Sequence, residues 1–291
     1  MADPGIDRPR TVVITDVGPR DGLQNEAGMI PLEAKVDLVE ALADAGVPEV
    51  ETGSFVRPDR IPQLADSAEL FERIRRRPGV VYSALVPNLR GLERALSVAV
   101  DKIAVFTSAS EGFARANVNG TIAETIERFR PVVEGARSSG LPVRGYVSCV
   151  VACPHDGPVA PDAVRAVCER LLELGIDEID LGDTIGVATP ESVERLLEGL
   201  SGLLAPEDVV LHLHDTSGTA IASAERALAL GVRRFDASCG GLGGCPFAPG
   251  SPGNLATESL LELCERAGFS TGIDRAAVAR ASERIRSALG R

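Results

Sequence analysis

Residues 161–183 read PDAVRAVCERLLELGIDEIDLGD. Apolar side chains recur at helical spacing over Pro161–Leu174, and Glu178–Asp183 then alternates at the strand period. Between them, Leu174-Gly175 reads as a helix C-cap feeding the next strand. The same texture runs outward in both directions. Strands are expected at Val12–Val17, Glu49–Ser54, Val80–Val86, Lys102–Thr107, Pro142–Cys149, Glu178–Asp183, Val209–His214 and Arg234–Ser238. They lie roughly 30 residues apart, the length of one strand–helix repeat. The clearest helices are Leu32–Ala45, Gln63–Arg76, Ile122–Ser138, Pro161–Leu174, Pro190–Leu203 and Thr219–Leu230, with Ala45-Gly46 and Leu230-Gly231 repeating the capping pattern. Strands separated by helices need crossover connections, which make a parallel sheet. Eight repeats predict closure into a (β/α)8 TIM barrel; an open doubly wound sheet gives the same alternation. Asp274–Leu289 is an additional C-terminal helix packed outside, and no composition break divides the chain, so residues 1–291 are expected to form one catalytic domain.

A length of 291 residues suits one barrel. Composition is that of an ordinary globular protein, 44% hydrophobic and 25% charged. No apolar run is long enough to span a bilayer. Met1–Arg10 is a polar lead-in without a secretory core, so a cytoplasmic location and reduced thiols are expected for the six cysteines. The net charge of −12 disfavours nucleic-acid binding, which needs Lys and Arg on phosphates. An anionic substrate must therefore find a local basic patch.

Barrel active sites lie where the strands end, and unusual polar residues collect there. The first strand runs out through Asp16-Val17-Gly18-Pro19-Arg20-Asp21-Gly22-Leu23-Gln24-Asn25-Glu26. Its Arg20-Asp21 pair is a ligand or catalytic candidate, although an ion pair at a surface turn reads the same way. The seventh strand holds two of the chain's three histidines, His212 and His214. Alternation turns both imidazoles to one side, about 7 Å apart along the strand, which suits one metal ion as well as two hydrogen-bonded buried rings. Glu51 lies inside an apolar strand and Asp183 ends another, and buried carboxylates are costly unless paired. Residues 240–254 are rich in Gly and Pro and read as a loop, either a mobile lid or an anion-cradling nest. Cys245 sits in its middle, a better reactive thiol than Cys168 in a helix. Cys149, Cys153 and His155 lack the spacing of a structural zinc site.

Gly18–Glu26 resembles the strand-1 signature of 3-hydroxy-3-methylglutaryl-CoA lyases. The similarity continues through Glu51-Thr52-Gly53-Ser54-Phe55-Val56, Arg144-Gly145-Tyr146-Val147-Ser148-Cys149 and Leu181-Gly182-Asp183-Thr184-Ile185-Gly186. It is strongest in His212-Leu213-His214-Asp215-Thr216, in Gly241-Leu242-Gly243-Gly244-Cys245-Pro246 and in Gly253-Asn254-Leu255-Ala256-Thr257-Glu258. The resemblance implies that Asp21, His212, His214 and Asn254 bind a divalent cation, Mg or Mn, and that Arg20, Gln24 and Glu258 meet an acyl-CoA substrate. It implies metal-assisted retro-Claisen cleavage to acetyl-CoA and acetoacetate, as in leucine degradation, by a homo-oligomer, a dimer in the family. Arg20 would stabilise the enolate. Cys245 would be the acid/base, with Glu51 and Asp183 supporting, while the first base stays open among Cys245, His212, Asp21 and Asp183.

Three positions depart from the family pattern: Asp59-Arg60 where Lys-Trp is common, Phe247 in place of tyrosine and His155 in place of an aromatic. They bear on which acyl group is accepted. The rivals are a lyase for a related 3-hydroxy-3-alkylglutaryl or citramalyl thioester, a Claisen-type synthase and a silent barrel. The cysteine loop and the intact ligand set argue against the last two.

Overall fold

In the structure, Pro161–Leu174 is helical and closes on Gly175 in the left-handed region at φ 95°. Such a φ is free of strain only without a Cβ, and Gly231 repeats it at φ 113° after Ala220–Leu230. The structure is a computed structural model that describes residues 10–245 and 248–291, excluding the side chains of Cys245 and residues 248–252. Phe247 therefore lies outside the described residues.

The barrel strands are β1 (Val13–Asp16), β2 (Glu49–Ser54), β3 (Val81–Leu85), β4 (Lys102–Ser108), β5 (Val143–Ser148), β6 (Glu178–Asp183), β7 (Val209–Leu213) and β8 (Arg234–Ala237). All eight pair in parallel and close in sequence order, β8 returning to β1. Closure leaves no edge, and it excludes the open sheet. The expected strands shorten by a residue or so at several ends. Helices cover the outside, and their apolar faces merge with the outward strand residues into one large core.

Departures from the expected elements have local causes. The helix expected over Gln63–Arg76 is a 3-10 turn, Pro62–Leu64, followed by Ser67–Arg73. The break is held by Ser67, whose hydroxyl accepts the Ser54 N–H and donates to the Leu64 carbonyl. Buried Lys35 ties the same corner, donating to the Gln63 carbonyl and the Asp66 carboxylate. Three further helices, Leu89–Ser97, Glu111–Val118 and Thr257–Arg266, span 9, 8 and 10 residues, under three turns each. The Gly/Pro-rich stretch includes a short antiparallel pair, Gly244–Cys245 with Ala248–Pro252; turn residues hid two brief extended runs. The C-terminal helix is Arg275–Ala288, capped by the Asp274 side chain.

Among the described residues no helix is long and apolar enough to cross a membrane. Cys149 and Cys153 form a small apolar cluster with Phe113.

The lumen is not the stack of branched apolar side chains common in barrels. Arg144 donates to Asp236 Oδ1 at 2.9 Å and to Thr15 Oγ1 at 3.0 Å, and pairs with Glu178. Lys102 bridges Glu49 and Glu178 at 2.9 and 2.6 Å. The floor beneath the mouth is thus a paired ionic network, in which removing one member strands another charge.

Candidate active site

At the end of β1 the chain turns through a five-residue π-helix, Gly18–Gly22, a form often found at functional sites. Gly22 is required by close packing, since a Cβ there would lie 2.8 Å from Leu242 Cβ. Asp16 fastens the turn: its carboxylate accepts the N–H groups of Gly18 and Cys239 at 2.9 and 3.3 Å and the Thr257 hydroxyl at 2.7 Å. Burial raises this carboxyl to about 7, because these neutral donors offset only part of the desolvation. Between about pH 4 and 7 the unfolded chain has lost that proton and the folded chain keeps it, so stability falls as pH rises through this window. Asp16→Asn is expected to gain relative to the parent across the same window, by at most about 4 kcal/mol at pH 8. Melting curves of the two proteins at pH 4.5 and 8 check this; a constant difference would refute it.

The turn places Arg20 and Asp21 at the mouth. Arg20 is 6% exposed. Its guanidinium meets Glu51 Oε2 through Nε at 2.6 Å and Asp21 Oδ1 through Nη1 at 2.6 Å. It also lies 5.2 Å from the centroid of the Tyr146 ring. Burial pushes the Glu51 carboxyl up, against the pull of Arg20. Asp21 is half-buried; desolvation raises its carboxyl, but Arg20 and the two histidines hold it below the usual carboxylate range. Gln24 Nε2 donates to the same Asp21 oxygen at 2.8 Å.

From β7, His212 and the following His214 turn into the lumen, their Nε2 atoms 3.2 Å apart. His212 Nδ1 faces Asp236 Oδ2 at 3.1 Å. A carboxylate can only accept, so Nδ1 carries the proton and Nε2 presents a bare lone pair. Burial lowers His212, but Asp236 outweighs it and the net direction is up. Burial and the neighbouring imidazole drive His214 down to about 4. The pair thus accommodates one positive charge between its two Nε2 atoms.

Asn254 completes the group. Residues 253–255 pair with the end of β7: Asp215 N–H donates to the Gly253 carbonyl, and Leu255 N–H to the Leu213 carbonyl. The Asn254 amide donates to Asp21 Oδ2 at 2.9 Å and to the Leu242 carbonyl at 3.1 Å. Its Oδ1 is buried and accepts no hydrogen bond. One ligand atom each from Asp21, His212 and His214 lies within 4.8 Å of the others. One carboxylate, two imidazoles and an orphaned amide oxygen suit a six-coordinate divalent cation. These residues fit the group that the sequence led one to expect.

Glu51, Arg20, Asp21, Gln24, His212, His214 and Asn254 therefore come together. Two expected residues have other attachments. Glu258 accepts the Gly240 N–H with both carboxylate oxygens, at 3.1 and 2.9 Å, and so braces the turn after β8. Asp183 accepts the Val187 and Ala188 N–H groups at 3.2 and 2.8 Å, organising the loop after β6; burial pushes its carboxyl up, against those N–H groups and His212. The Cys245 side chain lies outside the described residues. Three residues were not anticipated: Asp236, Arg144 and Tyr146. The single Tyr146 hydroxyl proton is shared between Glu51 Oε2 at 3.1 Å and Asp236 Oδ2 at 3.3 Å, and its ring meets His212 edge-on. The rule that flagged Glu51, a charge inside an apolar strand, would have flagged Arg144 and Asp236 as well.

With this geometry in place, the HMGL-like family matches residues 11–285. The chain belongs to the HMGL-like family. A family relative from Pseudomonas mevalonii, a hydroxymethylglutaryl-CoA lyase, is 48% identical over 97% of this chain and 93% of its own. Another, from Pseudomonas aeruginosa, is 47% identical over 97% of this chain and 94% of its own. It is a 3-hydroxy-3-isohexenylglutaryl-CoA/hydroxy-methylglutaryl-CoA lyase. An HMG-CoA lyase from Acinetobacter baumannii, solved with coenzyme A and 3-methylmalate, superimposes with a TM-score of 0.91 at 38% identity, covering 97% of this chain and 92% of its own. The family's closed eight-stranded barrel is the fold described above.

Proposed function

We propose that this protein cleaves 3-hydroxy-3-methylglutaryl-CoA to acetyl-CoA and acetoacetate. The observation that carries the reading is one largely buried cluster at the mouth, in which the Arg20 guanidinium lies beside the Asp21–His212–His214 group. Asp21, His212, His214 and Asn254 would hold Mg or Mn. A divalent cation there supplies Lewis acidity toward the hydroxyl and carbonyl oxygens of a bound thioester.

The chain's own residues account for the rest. Removal of the tertiary hydroxyl proton lets the bond between carbons 2 and 3 break, and its electron pair becomes the enolate of the acetyl thioester. Arg20 is fixed by Glu51 and Tyr146, so its charge meets the enolate oxygen without reorganising. Glu51 and Asp21 orient that guanidinium, and Asp183 shapes the adjacent loop. Cys245 delivers the proton to carbon 2 in this scheme.

One observation favours a wider acyl range. Leu85, Ala104 and Tyr146 form a small apolar cluster apart from the main core, with Val56 and Phe106 packed against it. An apolar lining beside Arg20 suits a longer 3-alkyl group, such as that in the name of the P. aeruginosa relative.

Acetoacetate release from 3-hydroxy-3-methylglutaryl-CoA, followed by a coupled reduction, tests the reading. Turnover is expected with added Mg or Mn and loss of nearly all of it with excess EDTA. No product with either metal would sink the substrate; a rate indifferent to EDTA would sink the metal. Running a 3-isohexenyl analogue in parallel measures the acyl range.

A further inference from the structure

The two sides of the barrel mouth differ in chemistry. In ring order β4 stands opposite β8, and β8 is flanked by β1 and β7, whose ends lead to Asp21, His212 and His214. On the far side, β3, β4 and β5 contribute Leu85, Ala104 and Tyr146, with partly buried Val56 and Phe106 packed against them. Alternation fixes which β4 side chains turn inward. Lys102 enters the lumen network, whereas Ile103 and Val105 belong to the outer core. Ala104 and Phe106 therefore share the inward face with Lys102, and Ala104 lies one layer above the ionic floor. Leu85 stands beside Ala104 in register, and Tyr146 beside Phe106.

Barrel interiors are filled mostly by bulky branched side chains. At Ala104 a single methyl group takes that place. Tyr146 does not swing over to fill it, because its hydroxyl is held between Glu51 and Asp236 and Arg20 lies over its ring. The reach of the apolar side is thus set at Ala104 by side-chain size. In the proposed substrate, carbon 3 is tetrahedral. It carries the hydroxyl, the alkyl group and two arms that end in the carboxylate and the thioester. A hydroxyl turned toward the Asp21–His212–His214 group directs the other three substituents away from it. The two arms carry oxygens that need polar partners. The alkyl group needs none, and burial against Leu85, Ala104 and Tyr146 favours it.

We propose that Ala104 sets the length of the 3-alkyl group this protein accepts, its short side chain admitting chains longer than methyl. This rests on the acyl-CoA reading above. The test compares kcat/KM for the 3-hydroxy-3-isohexenylglutaryl and 3-hydroxy-3-methylglutaryl thioesters of coenzyme A in the parent and in variants at position 104. In Ala104→Leu the ratio of long to short is expected to fall at least about tenfold, the discrimination that a small size change in an apolar pocket supplies. Ala104→Val should lower it by less, and Ala104→Gly should keep it at or above the parental value. A general loss of folding or turnover cancels in the ratio. An unchanged ratio in Ala104→Leu, an equal fall in Ala104→Gly, or a parent that cleaves the methyl thioester and rejects the longer one would overturn the assignment. Calorimetry with the free acids 3-hydroxy-3-methylglutarate and 3-hydroxy-3-isohexenylglutarate, with Mn added, reads the same subsite without turnover. The parent should bind the longer acid at least as tightly as the shorter, and Ala104→Leu should weaken the longer one alone. That pattern in a parent that cleaves neither thioester would sink the reaction and keep the subsite. Equal affinity of parent and Ala104→Leu for the longer acid, or equal weakening of both acids, rejects it.

Discussion

Arg20→Gln is expected to lower kcat by about 10³-fold while leaving Mn affinity within a few-fold of the parent. The first part follows from where the charge sits. The guanidinium is held by Glu51, Asp21 and the face of Tyr146, so it is oriented before the enolate forms. Removing one pre-organised donor from a dry site costs about 10²–10³ in rate, and Gln removes the positive charge as well. The second part follows because Asp21, His212, His214 and Asn254 all remain. Loss of the counter-charge leaves Glu51 buried, but burial already pushes that carboxyl up, so it takes a proton readily. Folding therefore suffers less than catalysis. Arg20→Lys is not expected to rescue, because a single ammonium cannot contact Glu51 and Asp21 with the geometry of the fork. Steady-state kinetics with Mn-binding isotherms decide the matter. A kcat within tenfold of the parent would remove Arg20 from the transition state, and a parallel collapse of Mn affinity would make it a structural support of Asp21.

The sequence carried more of the centre than of its surroundings, for a physical reason. Whether Arg20 and Asp21 sit at a strand exit, and whether His212 and His214 share a face, depends only on local periodicity. A closed barrel then brings every exit to one rim. The lumen network depends on closure itself. Arg144 on β5 reaches Asp236 on β8 and Thr15 on β1 only across the interior, and no local pattern records which inward residues meet. Glu258 shows the converse. Its motif says nothing of the Gly240 N–H that its carboxylate accepts, a contact set by how the segment after β8 folds back. Expected helix ends failed where a side chain competes with the backbone, as Ser67 does after Pro62–Leu64.

Asp236→Asn is expected to weaken Mn binding by about 10- to 100-fold and to lower stability by about 3 kcal/mol, although Asp236 is not one of the four expected ligands. Its carboxylate serves three donors: His212 Nδ1 and the Tyr146 hydroxyl through Oδ2, and Arg144 Nη1 through Oδ1. Burial would raise this carboxyl, but Arg144 and His212 hold it well below the usual range, so it stays ionised. An acceptor with no proton of its own permits only the His212 tautomer whose Nε2 is bare and faces His214. An asparagine cannot reproduce this. If its NH₂ faces His212, the imidazole accepts at Nδ1 and carries its proton on Nε2, where the cation needs a lone pair. If the amide flips, the NH₂ faces Arg144, donor against donor, and the buried guanidinium loses its partner. Either orientation damages one of the two functions, and exchange between them damages both. Mn titration followed by electron paramagnetic resonance, together with thermal melts, separates the outcomes. Lower stability with Mn affinity within twofold of the parent would confine Asp236 to packing Arg144. The expected joint loss would identify Asp236 as the residue through which the charged lumen sets the tautomer of His212.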